Sequence, residues 1–218
     1  MPGQEGYNEL LQALEVDGRR IGYNAMKAAQ KAEQLLEDDL FGRKYLETIR
    51  SRARECVVSV PYDTNNSHDQ GDCMSPITTN KIHLIIKCNE RLENLCDQIK
   101  HLGFILMENA EKLRGLIDLN IVNVDNETKS AWKNELIQMQ SIISSNCALI
   151  ITYYHDRSHT SSYVLRHPTV SDSWQQIIEI DEDFFSKLRI FLLNLRLFNV
   201  RLYNIIQNWL NLNESKQE

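Results

Sequence analysis

The chain has 218 residues, 42% of them hydrophobic and 25% charged, with a formal charge of −6 and a pI near 5.6. This composition suits one large domain or two small ones with a substantial core, and it excludes a wholly disordered chain. It also argues against a nucleic-acid or anionic-membrane role, because both need a basic footprint, and no apolar run reaches the roughly 20 residues that cross a bilayer.

The opening stretch, MPGQEGYNEL, lacks the basic and apolar blocks of a signal peptide. The five cysteines, Cys56, Cys73, Cys88, Cys96 and Cys147, are scattered and odd in number. They read as reduced thiols of an intracellular protein. Only four prolines and eight glycines interrupt the chain, so long helix-compatible stretches dominate and predict an all-α fold.

The first predicted helix runs from about Tyr7 to Arg52, with a stripe including Leu14, Ile21, Met26, Ala29, Ala32 and Leu36. Asp17-Gly18 is a candidate interruption. Residues 57–78, with two prolines, Asn-Asn and Asp-Gln-Gly-Asp, read as a flexible insert. Its beginning, CVVSVPYD, can instead form a short strand-like strap. The second helix is expected over residues 79–116, with Ile82, Ile85, Ile86, Leu92, Leu95, Cys96, Ile99, Leu102, Ile105 and Leu106 on its apolar face. Residues 116–126 alternate Leu119, Ile121 and Val124 with Asn120, Asn123 and Asp125, an extended pattern.

Asp125 or Asn126 is the expected N-cap of a third helix over 127–165, with Trp132, Leu136, Met139, Ile143, Cys147, Ile150 and Tyr154 inward. Arg166-His167-Pro168 ends it, since the residue before proline resists the α conformation. Ser171 or Asp172 is the expected cap of the fourth helix, over 172–212, and the tail 213–218 is polar. The sum is a single domain, an elongated antiparallel four-helix bundle.

The fourth helix is apolar on two sides. Leu188, Phe191, Leu195, Phe198, Leu202, Ile205, Ile206 and Trp209 share one sector at about 100° per residue. Ile190, Leu193, Leu197 and Val200 share another, among Arg201, Asn204 and Asn208. One bundle buries one sector, so a second surface must cover the other, and a copy of the same chain is the simplest cover. The competing readings are central burial within the bundle or isolated exposed leucines. Asp181 falls in line with the core stripe and needs a cap to make, an Arg to pair with or a solvent channel to border.

Specific residues now carry a resemblance. HPTVSDSWQQIIEIDEDFFSKLR, residues 167–189, followed by LYNII, residues 202–206, resembles the 11S (REG) family of proteasome activators. Pro168, Val170, Asp172, Glu179, Ile180, Asp181, Glu182, Leu188, Arg189, Arg196, Leu202, Tyr203, Ile205 and Ile206 match the family's spacing. Tyr153-Tyr154, residues 80–99 and the CVVSVPYD strap resemble family features in the same order.

The resemblance implies a non-catalytic four-helix protomer in a homo-oligomeric, heptameric ring. Such rings cap the α-subunit ring of the 20S proteasome without ATP or any other cofactor, and open its gate to peptides. It places gate contact in the loop at Asn120, Asn123, Asp125 and Asn126, and docking in the tail at Ser215, Lys216, Gln217 and Glu218. It makes Ile190, Leu193, Leu197 and Val200 the oligomer interface. Residues 116–126 depart from the family's usual loop by lacking its Gly-Asn-Asn-Phe-Gly signature, so a ring-forming scaffold that leaves the gate shut is the alternative.

An enzyme reading ranks last. His155 and His159 sit four apart beside Asp156, a spacing that can grip a metal on a helix but more often marks solvated side chains. A di-iron bundle needs a second carboxylate-x-x-His motif, and none occurs. Neither HExxH, Walker A nor GxSxG is present.

Overall fold

The computed structural model describes residues 2–37, 41, 47–48, 51, 57–61, 82–86, 89–118, 124–167 and 170–214. Four helices form its core: α1 (Pro2–Glu37), α2 (Glu90–Asp118), α3 (Asn126–Arg166) and α4 (Ser171–Glu214). Two strands, β1 (Val57–Pro61) and β2 (Ile82–Ile86), lie between α1 and α2 in sequence. The architecture is the expected four-helix bundle. At 44 residues, α4 is about 66 Å long, which makes the bundle elongated.

Cross-helix contacts fix the directions. Gly18 and Gly22 of α1 approach Trp209 and Ile206 of α4, and Glu33 meets Arg196, so α1 and α4 are antiparallel. Tyr153 and Arg157 of α3 reach Asp181 of α4, and Glu135 reaches Arg201, so α3 and α4 are antiparallel too. Gln140 to Glu111 and Lys133 to Asp118 set α2 against α3 in the same manner.

The α4 core sector is buried as its periodicity requires, from Leu188 through Trp209. Against it, α1 presents small residues, Gly18, Gly22, Ala25, Ala28 and Ala32, which let the two backbones come close. This explains Gly18. It does not interrupt α1, and a Cβ there would overlap the Trp209 ring. The expected helix over 7–52 is continuous from Pro2 to Glu37, and beyond that only residues 41, 47–48 and 51 of it are described.

The second helix departs from expectation at its start. It begins at Glu90, not near residue 79, because Ile82–Ile86 pairs antiparallel with Val57–Pro61 in the register Val57↔Ile86 to Pro61↔Ile82. A short apolar run is compatible with either state, and a partner strand decides it. Val57–Pro61 of the CVVSVPYD strap is therefore a strand within the first part of the expected insert. Residues 62–78 lie outside the described residues.

At the C-terminal end of α3 the His167 amide donates to the Tyr163 and Val164 carbonyls, and the Val170 amide donates to His167 O at 3.1 Å. This tight turn reverses the chain into α4, which opens at Ser171 with Asp172 in its first turn, where a carboxylate favours the helix dipole.

Candidate functional site

The helix directions bring four termini to one end of the bundle: the start of α1, the end of α2, the start of α3 and the end of α4. Glu135 and Arg201 lie level, 3.7 Å apart. From there α3 extends about 13 Å back to Asn126, and α4 about 20 Å onward to Glu214. Glu214 thus lies about 6 Å beyond the start of α3 along the bundle. The end of α2, the start of α3 and the end of α4 therefore share one end of the bundle.

Asp125 is the N-cap of α3. Its carboxylate accepts from the Thr128 amide at 2.8 Å and from the Thr128 hydroxyl at 2.7 Å. Those bonds, the backbone one first, hold its pKa below the ordinary aspartate value. Val124 packs against the core and Lys133 pairs with Asp118, so the α3 side of the loop is anchored. Asn126 is the exposed first residue of α3. Asn120 and Asn123 lie outside the described residues, as do Ser215, Lys216, Gln217 and Glu218.

Along the flank of α4, Ile190 is 58%, Leu193 43% and Leu197 46% exposed, and Val200 is half-buried. They form a stripe opposite the core sector, bordered by Arg189, Arg196 and Arg201. Arg196 reaches Glu33 on α1 at 2.9 Å and Arg201 leans toward Glu135 on α3, so the arginines brace the stripe from both sides.

A second flank carries a signal that pattern reading overlooked. Between Glu135 and Asp156 no residue of α3 is Asp, Glu, Lys or Arg. Its outward positions there include Ile137, Ser141, Ser144, Ala148 and Ile151, the last 73% exposed. A solvated helix face normally carries charge. The run of uncharged residues was visible in the sequence, but which of them face outward was not.

Deep between α3 and α4 lies an ionic contact. Asp181 is fully buried and accepts from Arg157 Nε and from the Tyr153 hydroxyl, each at 2.9 Å. The Tyr153 ring stacks on Phe184 at 3.8 Å between centroids. Of the three roles open to Asp181, pairing with an arginine is the one adopted. The second carboxylate oxygen, Oδ2, has no partner among the described residues. Nearby, burial pushes the Cys147 thiol above its usual pKa.

His155 is exposed and lies 3.2 Å from Asp156. Among the described residues no group of three or more His, Cys, Asp or Glu could hold a metal ion. No described helix is long and apolar enough to cross a membrane.

The model for the C-terminal region of proteasome activator PA28 matches residues 85–218, more than half of the chain. The chain belongs to the PA28 family of proteasome activators. The matched span contains α2, α3, α4 and all the residues between 167 and 206 on which the resemblance rests. The fold agrees with that of a PA28 crystal structure, the 11S subunit of the Plasmodium falciparum proteasome, at a TM-score of 0.66 and 16% identity. That alignment covers 95% of this chain and 93% of the other, so the shared fold includes α1, which lies before the PA28 match begins. No curated protein sequence matches.

Proposed function

We propose that the chain is an ATP-independent activator of the 20S proteasome. Seven copies close into a ring, the ring sits on the 20S α subunits, and the loops open the gate so that peptides are hydrolysed faster. The observation that supports this reading is that the end of α2, the start of α3 and the end of α4 lie together at one end of a PA28-family bundle. A ring of such bundles presents every tail and every loop to one surface.

Each part has a physical role. A tail of a few residues binds weakly alone, and linked copies raise the local concentration for one another, with avidity gains of roughly 100- to 10,000-fold. Ser215 to Glu218 are the docking segment in this reading. Asn120, Asn123, Asp125 and Asn126 form the gate-contact segment in this reading, with Asp125 also capping α3. The stripe Ile190, Leu193, Leu197 and Val200 is covered by the next copy, and a heterologous contact of this kind closes into a ring. The ring works where its proteasome partner works, in the cytoplasm or nucleus.

A second reading keeps the ring and leaves the gate shut. Two observations favour it: the loop lacks the Gly-Asn-Asn-Phe-Gly signature, and both oxygens of Asp125 are engaged by Thr128. One experiment separates the two. Light scattering gives the mass of the assembly, and fluorogenic peptide hydrolysis by 20S proteasome is measured with the full chain and with a chain ending at Glu214. Stimulation that vanishes with the last four residues supports the activator. A ring that binds 20S without stimulating it supports the scaffold. A mass of one chain across micromolar concentrations overturns both.

A further inference from the structure

A cleft of about 430 Å³ lies between α1 and α2, away from the loop, the tail and the α4 stripe. We propose that it binds a small anion carrying several phosphate groups. The protein is acidic overall, with a formal charge of −6, yet this cleft is basic. Lys27 and Lys31 stand one turn apart on α1, and Lys112 and His101 face them from α2. Among the described residues Glu108 is the one lining carboxylate, and it is bound by Lys112 at 2.6 Å. Neither Lys27 nor Lys31 is ion-paired to a described residue, so two ammonium groups on the same helix face await a counter-charge.

The second observation lies in the cleft wall. Asn109 lines the cleft and is only 4% exposed. Its Nδ2 has no hydrogen-bond partner among the described residues. A buried donor left unmade is costly, and an acceptor entering the cleft would satisfy it. The wall beside it is apolar, formed by Ala28 and Leu102.

Size and donor chemistry set the ligand class. The volume falls in the range of small-molecule sites and is too small for a folded partner. Lys27 and Lys31, a turn apart on α1, act as separate point charges, which suits the many outward oxygens of linked phosphates better than one planar carboxylate. A sister copy is a poor occupant. Over residues 136–155 the outer face of α3 carries no acid, and the α4 stripe is bordered by Arg189, Arg196 and Arg201.

Calorimetric titration of the full chain with sodium tripolyphosphate, at constant ionic strength, tests the site. The expected result is one tripolyphosphate per chain. Affinity should fall at least tenfold in Lys27→Ala/Lys31→Ala, and also fall in Asn109→Leu, which keeps side-chain volume but removes the donor. The lysine pair is exposed, so circular dichroism of that variant should match the parent. Three outcomes would overturn the proposal: no binding at millimolar tripolyphosphate, unchanged affinity in the double lysine variant, or citrate binding as tightly as tripolyphosphate.

Discussion

Replacing Arg157 with methionine tests the buried contact between α3 and α4 most directly. Asp181 is fully buried, and Arg157 supplies its counter-charge through Nε at 2.9 Å. Without Arg157, a carboxylate would remain in the core with one hydrogen bond, from Tyr153, and an Oδ2 that already has no described partner. Removing one member of a buried pair typically costs about 3–5 kcal/mol, since the remaining charge is left uncompensated. Against a domain stability of roughly 5–15 kcal/mol this is a large fraction. Arg157→Met/Asp181→Leu removes both charges and fills the volume with apolar atoms, an exchange that is often neutral or stabilising. The double variant should therefore be more stable than Arg157→Met alone, by about 2 kcal/mol or more. Urea denaturation monitored by circular dichroism gives both values. If Arg157→Met costs less than about 1 kcal/mol, or if the double variant is no better than the single, the reasoning fails and water, not arginine, compensates Asp181.

Three further outcomes are expected. Gly18→Ala should destabilise by about 1–3 kcal/mol through overpacking, because the new Cβ would lie within 2.9 Å of Trp209 Cη2, and closer still to Cζ3, whereas Gly115→Ala, with nothing within 4 Å, should stabilise by roughly 0.5–1 kcal/mol. Thermal melts of the two variants should move in opposite directions. If the chain forms the proposed ring, Leu193→Glu/Leu197→Glu should leave helix content unchanged but reduce the mass by light scattering to that of single chains, since charges would face the next copy; an unaltered mass would remove this stripe from the proposed interface. Asp125→Ala should lower the melting temperature at neutral pH by deleting the α3 cap. The Asp125 pKa is depressed on folding, so its contribution is complete above the ordinary value of 3.8 and is lost as pH falls through the lower folded value. Parent and variant melts should converge in strong acid.

Local chemistry wrote much of this structure into the sequence. The bounds of α3 and α4 fall within two residues of their capping and periodicity signals, because an N-cap such as Asp125 and a turn such as that at His167 act over only a few residues. The inward sector from Leu188 to Trp209 follows from the helical repeat alone. So does the existence of a second apolar sector on α4, with Ile190, Leu193 and Leu197 outside the core.

Pairing across the chain decided the rest. Ile82–Ile86 is a strand because Val57–Pro61 lies beside it, about 25 residues earlier in sequence. Gly18 looks like a helix breaker until Trp209 occupies the space that a side chain would need. Asp181 had three possible roles, and Arg157 on a different helix selects one. The cleft at Lys27 and Asn109 likewise exists only where α1 and α2 meet. Periodicity and caps are set by neighbours a few positions away, so a sequence displays them. Ion pairs, close approaches and clefts are set by residues brought together from distant parts of the chain, and only packing determines which residues those are.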